Sequence, residues 1–579
     1  MSSLQAADVN VTADITTNTT WTASNAYILN KSIFVKNGAT LTIEPGTTIL
    51  GDINLGLNGV LGGGDDTYGS LIITRNGTIM AEGTAEAPIV MTAKTDRDAE
   101  LTPSTEDDLD PETDGGLYGG LIILGDAPIN YYTGTSTNAN EFSIEGFPAG
   151  SSSDILYGGT NPTDNSGVVK YMSLRFGGYV YAPSKEINGL TMGGVGSGTT
   201  IENVEIVGNT DDGMEIFGGT VNTKRIAVAF CQDDSFDLDE GHQGFHQFWF
   251  AIQNPTGTLG DRGGEWDGGN GSVSTRDGTP YTTATIYNAT FIGNSATPAG
   301  EATENAGFYL DDYFAGQLHN SVIHQFGGPA ITKASDGVGS GAPAPSVFSN
   351  NTWGSFGGGG GLLTTLNAAG SPTGTGNSAI GTDPLLVGIS RIPNGGLDPR
   401  PNLASRLRSS SLSAAPVGAP VGFFETTTYR GAFGDTNWLN GWSYLSEAGY
   451  LTGYPDAGSG SVADADGDGV SDDLENANTD LGFNAGVNDA ATVLGSVYTA
   501  AQVTADPGAF GLYDETSILD LRTVGQTMVQ KVGGNVTLTV PVEKSTGLNT
   551  WGAAGNMTLG PFTGDPTKEF YRLKVEGAQ

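Results

Sequence analysis

Between Asp464 and Glu475 the chain reads DADGDGVSDDLE, five aspartates and a glutamate within twelve residues. Counted from Asp464, carboxylates stand at positions 1, 3, 5, 9 and 12, which are Asp464, Asp466, Asp468, Asp472 and Glu475. Gly469 stands at position 6, where the chain must turn sharply, and the carbonyl of Val470 follows at position 7. In water such charges repel, so the spacing points to a cation between them. An all-oxygen donor set suits calcium rather than zinc or copper, and this spacing is that of a calcium loop. The segment before it, GYPDAGSGSVA, is not helical, and only DDLENANTD after it can begin a helix. A structural clamp is therefore expected, not a paired sensor that opens.

A second acidic group lies upstream. Asp211 and Asp212 sit in NTDDGMEIF, Asp233 and Asp234 in CQDDSFDL, 22 residues later, and Asp237, Asp239, Glu240 and His242 follow closely. If successive turns of chain stack, these aspartates meet. Clustered carboxylates raise one another's pKa and can supply a general acid and a general base, which makes Asp211, Asp233, Asp234 and His242 the catalytic candidates. The plainer readings are aspartates that cap backbone amides in turns, or a second calcium site. His242 and His246, four apart, and the pair His319 and His324 invite a transition metal, but that spacing helps only on a helix, and the segment reads as loop into strand. Trp266, Tyr309, Tyr313, Trp438 and Trp442 can stack on sugar rings, or serve as core and loop anchors. No Ser-His-Asp triad, phosphate loop or dinucleotide fingerprint is apparent.

The elements that must position these groups are strands. From about Tyr27 to Ser335, short runs of Val, Ile and Leu alternate with polar residues and end in Gly, Asn or Asp, as in TTIENVEIVGNTDDGMEIFGG and NTKRIAVAFCQDDSFDLDEG. The 22-residue register with strand-plus-turn content predicts a β-solenoid, because one coil cannot bury its apolar face while stacked coils can. Two-residue hairpins, which a sandwich would favour, are scarce. The segments 95–116 and GSGAPAPSV read as loops that emerge from the coils.

Composition bounds the partners. The 579 residues carry 24 Lys+Arg against 64 Asp+Glu, a formal charge of −40, which argues against nucleic acid and anionic membranes. A single cysteine, Cys231, excludes an intrachain disulfide, and no apolar run reaches membrane-spanning length. LQAADV near the N-terminus reads as the remnant of a signal-cleavage site, which fits export.

The stretches IFVKNGATLTIEPGTTI, IMAEGTAEAPIVMTA, YGGLIILGDAPIN, EINGLTMGGVGSGTTIENVEI, DDGMEIFGGTVN and DDSFDLDEG resemble exported right-handed parallel β-helix proteins of Gram-negative environmental bacteria, over roughly residues 15–335. That resemblance implies fold and export, and no particular activity. The acidic loop resembles the calcium loops of dockerin-type and thrombospondin-type segments. The tail VEKSTGLNTW…KEFYRLKV is similar to a C-terminal segment common in secreted proteins of such bacteria. Asn209-Thr210-Asp211 and Asp233-Asp234 are similar to the first two motifs of polygalacturonase-type glycosidases. GHQG at 241–244 departs from their Gly-His-Gly, and no Arg-x-Lys follows.

The sequence thus predicts an all-β chain. An N-terminal export remnant or cap (1–14) precedes a right-handed parallel β-helix of roughly a dozen coils (15–400). An aromatic-rich connector (401–455), a calcium loop (456–485) and a small β unit (486–579) follow. The expected role is structural, adhesive or polysaccharide-binding at the cell surface or outside the cell, with calcium as cofactor and a polysaccharide or cell-surface glycan as partner. Self-assembly through the solenoid ends and a polysaccharide hydrolase or lyase built on the Asp cluster are the alternatives.

Overall fold

A computed structural model describes residues 6–58, 66–101, 109–132, 138–147, 152–180, 187–255, 259–269, 279–295, 305–333, 346–357, 372–402, 405–409 and 416–451, positions 484 and 487, and the strand segments 528–532, 535–544 and 552–563. Two units emerge, Met1–Ala463 and Asp464–Gln579. The loop ligands Asp464, Asp466, Asp468, Val470, Asp472 and Glu475 lie outside the described residues.

In the first unit the coils are built on three faces of strands. The coil after Ser32 shows the order: Ser32–Val35, Thr40–Ile43 and Thr48–Gly51, before the chain returns to Ser70–Ile73 beside its starting strand. The nine-stranded sheet that begins with Ser32–Val35, here the third face, is parallel throughout and ends at Ile331–Lys333. The first and second faces share a seventeen-stranded sheet, because long strands such as Thr200–Val207 and Asn222–Ala229 run around the corner between them. Parallel strands joined by right-handed crossovers make this a right-handed parallel β-helix.

The corner between the first and second faces has a plain cause. Tyr171, Asn203, Arg225, Phe248, Asn288, Asn320 and Asn350 occupy equivalent positions on successive coils, and all have left-handed φ between 45° and 63°. Asparagine tolerates that conformation. For Tyr171, Arg225 and Phe248 it costs roughly 1–2 kcal/mol each, and all three side chains make ring contacts. Tyr171 meets Trp442 edge-on at 5.5 Å, and Arg225 lies over the Phe248 ring at 5.0 Å.

The coil interior is mainly an apolar stack. Phe236 lies parallel to Trp249 at 4.4 Å, and Trp266 packs on Phe308 at 4.4 Å and on Phe314 at 5.3 Å. The 22-residue step is real at Met214↔Phe236, but the next steps on the same face, Phe236↔Gly264 and Gly264↔Phe308, are 28 and 44 residues. The excess leaves as surface loops. One stretch read as loop, 95–116, instead contains a helix, Lys94–Leu101.

Beyond the coils, Leu386–Ile389 pairs antiparallel with Leu397–Pro401. The segment 416–451 then lies as a strap along the second face. Phe433, Leu439, Trp442, Leu445 and Tyr450 form one buried cluster with Val207, Ala229, Phe250 and Ile292. Buried Glu205 accepts the amides of Tyr444 at 2.6 Å and Leu445 at 3.2 Å, and Arg175 pairs with Glu447 at 2.7 Å. In the second unit, Met528–Val532, Asn535–Lys544 and Gly552–Thr563 form a three-stranded antiparallel sheet.

Candidate functional site: an acidic ladder on the third face

On the third face the strands Leu190–Gly193, Met214–Phe217, Phe236–Asp239, Gly264–Asp267 and Phe308–Asp311 stack in parallel. Alternation sends Met214, Ile216, Phe236, Leu238, Trp266, Phe308 and Leu310 inward, all buried. The intervening positions face out. Glu215 is opposite Asp237, Asp237 opposite Glu265 and Glu265 opposite Tyr309, while Phe217 is opposite Asp239 and Asp267 opposite Asp311. Rungs are about 4.8 Å apart. Two unit charges at that distance repel by roughly 3 kcal/mol at an effective dielectric constant near 20.

The turn that leads into these strands stacks in the same way. Asp212 Oδ1 accepts the amide of Asp234 (2.9 Å), Asp234 Oδ1 accepts the amide of Arg262 (2.6 Å), and Asp261 Oδ1 accepts the amide of Asn305 (3.1 Å). Asp212 and Asp234 therefore cap backbone amides from one coil to the next. Stacking also brings ligand oxygens together in three overlapping groups, each within 4.8 Å: Asp211, Asp212 and Asp233; Asp212, Glu215 and Asp237; and Asp233, Asp234 and Asp261. These groups can hold a metal ion, and their donors are all carboxylate oxygens.

The protonation states follow from crowding. Burial pushes the Asp212 carboxyl well above the usual range, and Asp211, Asp237, Asp233 and Asp234 push the same way. Burial does the same to Glu215, with Glu145 and Asp237 adding to it, and to Asp237, with Glu265 and Asp267 adding. Asp267 is raised by burial and by Asp239, and its Oδ1 is buried without a hydrogen-bond partner. Asp239 is pushed up to about 7, by burial first and then by Asp312 and Glu265, against the amide of Glu240, which favours its charge. Asp234 is raised by burial although Arg262 opposes the shift. Burial works against the charge of Arg262, yet Asp234 (3.0 Å), Glu265 and Asp261 (3.1 Å) hold its pKa above the ordinary value.

The structure brings Asp211, Asp233 and Asp234 together, but Asp234 is buried and ion-paired. His242 is elsewhere. It is wholly buried and turned into the coil, where its Nε2 meets His246 Nε2 at 2.9 Å and its Nδ1 meets the Gly218 carbonyl at 2.9 Å. A carbonyl only accepts, so His242 carries its proton on Nδ1 and accepts on Nε2 from His246. The Thr223 hydroxyl then donates to His246 Nδ1 (2.9 Å) and accepts from Trp249 Nε1 (2.8 Å). Burial lowers His242 to about 4 and His246 well below its ordinary value. The pair is a neutral core network and not a partner of the aspartates.

Three aromatic candidates also fall away. Trp266 is fully buried in the coil stack. Trp442 is buried and half-buried Trp438 stacks on Phe433 at 5.2 Å, so both anchor the strap. Tyr309 and Tyr313 are half-buried near the ladder, and Arg262 lies over the Tyr309 ring at 4.9 Å. Sequence reasoning missed Glu215, Asp261, Arg262, Glu265, Asp267 and Asp311. The available signal was the alternation in MEIF, FDLD, GEWD and FYLD, which places an acid or tyrosine at every outward position except Phe217.

Fold and site together define a class: a right-handed parallel β-helix with one face crowded by stacked carboxylates. Residues 13–338, more than half of the chain, match the pectate-lyase-like β-helix domain, and the chain belongs to that family. No curated protein matches the sequence. The solved catalytic unit of a thermostable GH87 α-1,3-glucanase from Streptomyces thermodiastaticus strain HF3-3 is similar over 62% of this chain at 11% identity, with a TM-score of 0.26. The match covers 64% of that chain, less than two thirds, and likeness at this level carries no argument about activity. Among the described residues, no helix is long and apolar enough to cross a membrane.

Proposed function

We propose that the chain is an exported protein of the cell surface or extracellular space, that its third face binds calcium, and that the bound calcium bridges it to an acidic polysaccharide. The observation that carries this reading is the run of overlapping carboxylate triads from Asp211 to Asp261. Hard oxygen donors at that density suit calcium, and an ion offsets the rung-to-rung repulsion worked out above. A chain of charge −40 repels polyanions. Cations on its surface reverse that locally, and the family's name points to pectate, itself an acidic polysaccharide. Tyr309 and Tyr313 would flank the bound chain. The loop from Asp464 to Glu475 would hold a further, structural calcium, and the open ends of the solenoid would let copies stack.

A hydrolase or lyase is the second reading. One observation favours it: the Asp239 carboxyl, at about 7, lies where a carboxylic acid can donate a proton near neutral pH. One experiment separates the two. Immobilised polygalacturonate and alginate should retain the protein in calcium and release it in EDTA, with Asp237→Asn retained at least tenfold more weakly. Retention that ignores EDTA sinks the bridging reading. Release of reducing ends or unsaturated sugars, abolished by Asp233→Asn, would establish the enzyme instead.

A further inference from the structure

One segment of chain leaves the third face and returns to pack on it. Between the strands Leu121–Leu124 and Gly167–Arg175 the chain makes an insertion, in which Phe142–Ser143 pairs antiparallel with Leu156–Tyr157. Its Ile129, Ile144, Ile155 and Tyr157 are buried in one cluster with Ile72, Ile122, Leu124 and Phe217 of the coils. The outward column of the third face therefore changes character along the solenoid. Ile72 and Ile122, opposite one another, pack under the insertion; Thr191 follows, and the column turns acidic at Glu215 and Asp237. The acidic ladder begins where this apolar contact ends.

Three of the insertion's acids show how it is fastened. Glu141 pairs with Arg75 at 2.8 Å and Asp154 with Lys36 at 2.8 Å, so both meet cations of earlier coils. Glu145 instead meets an acid, for its side chain is within hydrogen-bond reach of buried Glu215. The amide of Asn188 spans the two: its Nδ2 donates to Glu145 Oε1 at 2.9 Å and to Glu215 Oε2. Asn188 is wholly buried, and its Oδ1 has no donor. A buried oxygen in that condition is costly unless something positive takes it. The position is also out of pattern. Asn188 stands two residues before Leu190, as Asp212 stands before Met214 and Asp234 before Phe236 on the next coils. Asp212 and Asp234 each use Oδ1 to accept an amide one coil on, whereas Asn188 turns its amide group to the two glutamates. Glu215 belongs as well to the triad with Asp212 and Asp237, whose oxygens lie within 4.8 Å of one another. Three carboxylates from the coils, a fourth from the insertion and an orphaned amide oxygen thus meet in one place.

We infer that this place is a structural cation seat, in which a calcium ion held by Glu145, Asn188, Asp212, Glu215 and Asp237 staples the insertion to the acidic end of the third face. Carboxylates and a neutral amide oxygen are the donors of a calcium site, which takes about six to eight oxygens, and not of a zinc or copper site. The ion does for Glu145 what Arg75 and Lys36 do for Glu141 and Asp154. The inference rests on the reading that this face takes calcium, but not on glycan bridging, because here the insertion supplies the carboxylate that a glycan would.

The test uses the full chain, stripped with EDTA, exchanged into chelator-free buffer near neutral pH and titrated with calcium, while amide hydrogen exchange over 138–147 is followed by mass spectrometry. Calcium should slow that exchange at least fivefold with no glycan present. Glu145→Gln keeps the size of the side chain and lifts one charge from the crowded seat, so the metal-free variant should melt no lower than wild type. Its protection over 138–147 should need at least tenfold more calcium. Glu141→Gln, which breaks only the Arg75 pair, should keep the wild-type calcium midpoint. An unchanged midpoint in Glu145→Gln, or exchange over 138–147 that ignores calcium, overturns the inference. If either occurs while wild type is still retained on polygalacturonate in calcium, the staple alone falls. Protection of 138–147 by calcium without such retention supports the staple and sinks bridging alone.

Discussion

Replacing Asp239 with asparagine tests the crowding of the ladder directly. Asp239 Oδ1 accepts the Glu240 amide, a contact that an asparagine oxygen can keep. What Asp239→Asn removes is the charge. The Asp239 carboxyl titrates near 7 in the fold, against 3.8 as its ordinary value. At about 1.36 kcal/mol per unit, the ionised form costs the fold about 4 kcal/mol, or on the order of 3 kcal/mol after discounting for partial exposure. The sign follows from proton counts. Between pH 7 and 4 the folded state holds a proton that the unfolded state has lost, so wild-type stability rises as pH falls through that window. The asparagine variant lacks this contribution, while the other raised carboxyls of the ladder keep theirs in both proteins. In EDTA at pH 8 it should be more stable than wild type by about 3 kcal/mol, and at pH 4 the two should converge. At roughly 2.1 cal/mol/K per residue, a cooperative unit of this size has an unfolding entropy near 1 kcal/mol/K, so the difference in Tm is about 3 °C. Differential scanning calorimetry at half-unit pH steps reads it. The buried His242 and His246, both lowered by burial, act in the opposite direction as pH falls below about 6.5, but they are common to both proteins and cancel in the difference. A variant less stable than wild type at pH 8, or a gap that does not close on acidification, would refute the crowding argument.

Two further substitutions probe the frame. Glu205→Gln exchanges a carboxylate that accepts the amides of Tyr444 and Leu445 for a group with only one accepting oxygen. It should cost about 1–3 kcal/mol and appear as faster limited proteolysis within 416–451, with calcium affinity unchanged. Trp266→Ala should cost about 3–5 kcal/mol by emptying the coil interior, read by urea denaturation, and should leave glycan retention per folded molecule unaltered. Lost retention with an intact fold would return Trp266 to the binding surface.

The solenoid was legible because one step of the register, from Asp211 to Asp233, carries no insertion. A repeat can be read only where the loops are short, and the 28- and 44-residue steps that follow hid Glu265, Asp267 and Asp311 from the same alignment. The aromatic residues misled for a different reason. Trp266 sits between two acids and glycines, a context that looks exposed, but its place in the alternation turns it inward. His242 and His246 look like a pair that could bind metal, and they do face each other. In the fold they spend both ring nitrogens on each other, Gly218 and Thr223. The strap was visible as an aromatic-rich connector, while its docking partner, the outward side of the second face, carries no local signature.

Parallel stacking sets each residue against its counterpart one coil away, so a run of like charges arises unless the sequence changes sign at that position. On the first face it does. Lys170 is opposite Glu202 and Glu202 opposite Lys224, with Lys170 and Arg225 reaching Glu202 at 3.4 and 3.2 Å. On the third face, over the same coils, it does not: Glu215, Asp237 and Glu265 follow one another, and Arg262 supplies one positive charge from the turn. One chain therefore neutralises one face and concentrates charge on another under the same geometry. Each further carboxylate raises the energy of its neighbours by a few kcal/mol unless a proton or a metal ion intervenes. A row of that kind is stable at low pH by protonation and at higher pH by cations, and the two should compete. Added calcium ought to lower the apparent pKa of the ladder, and acid ought to release calcium, with the exchange centred near the pKa of Asp239.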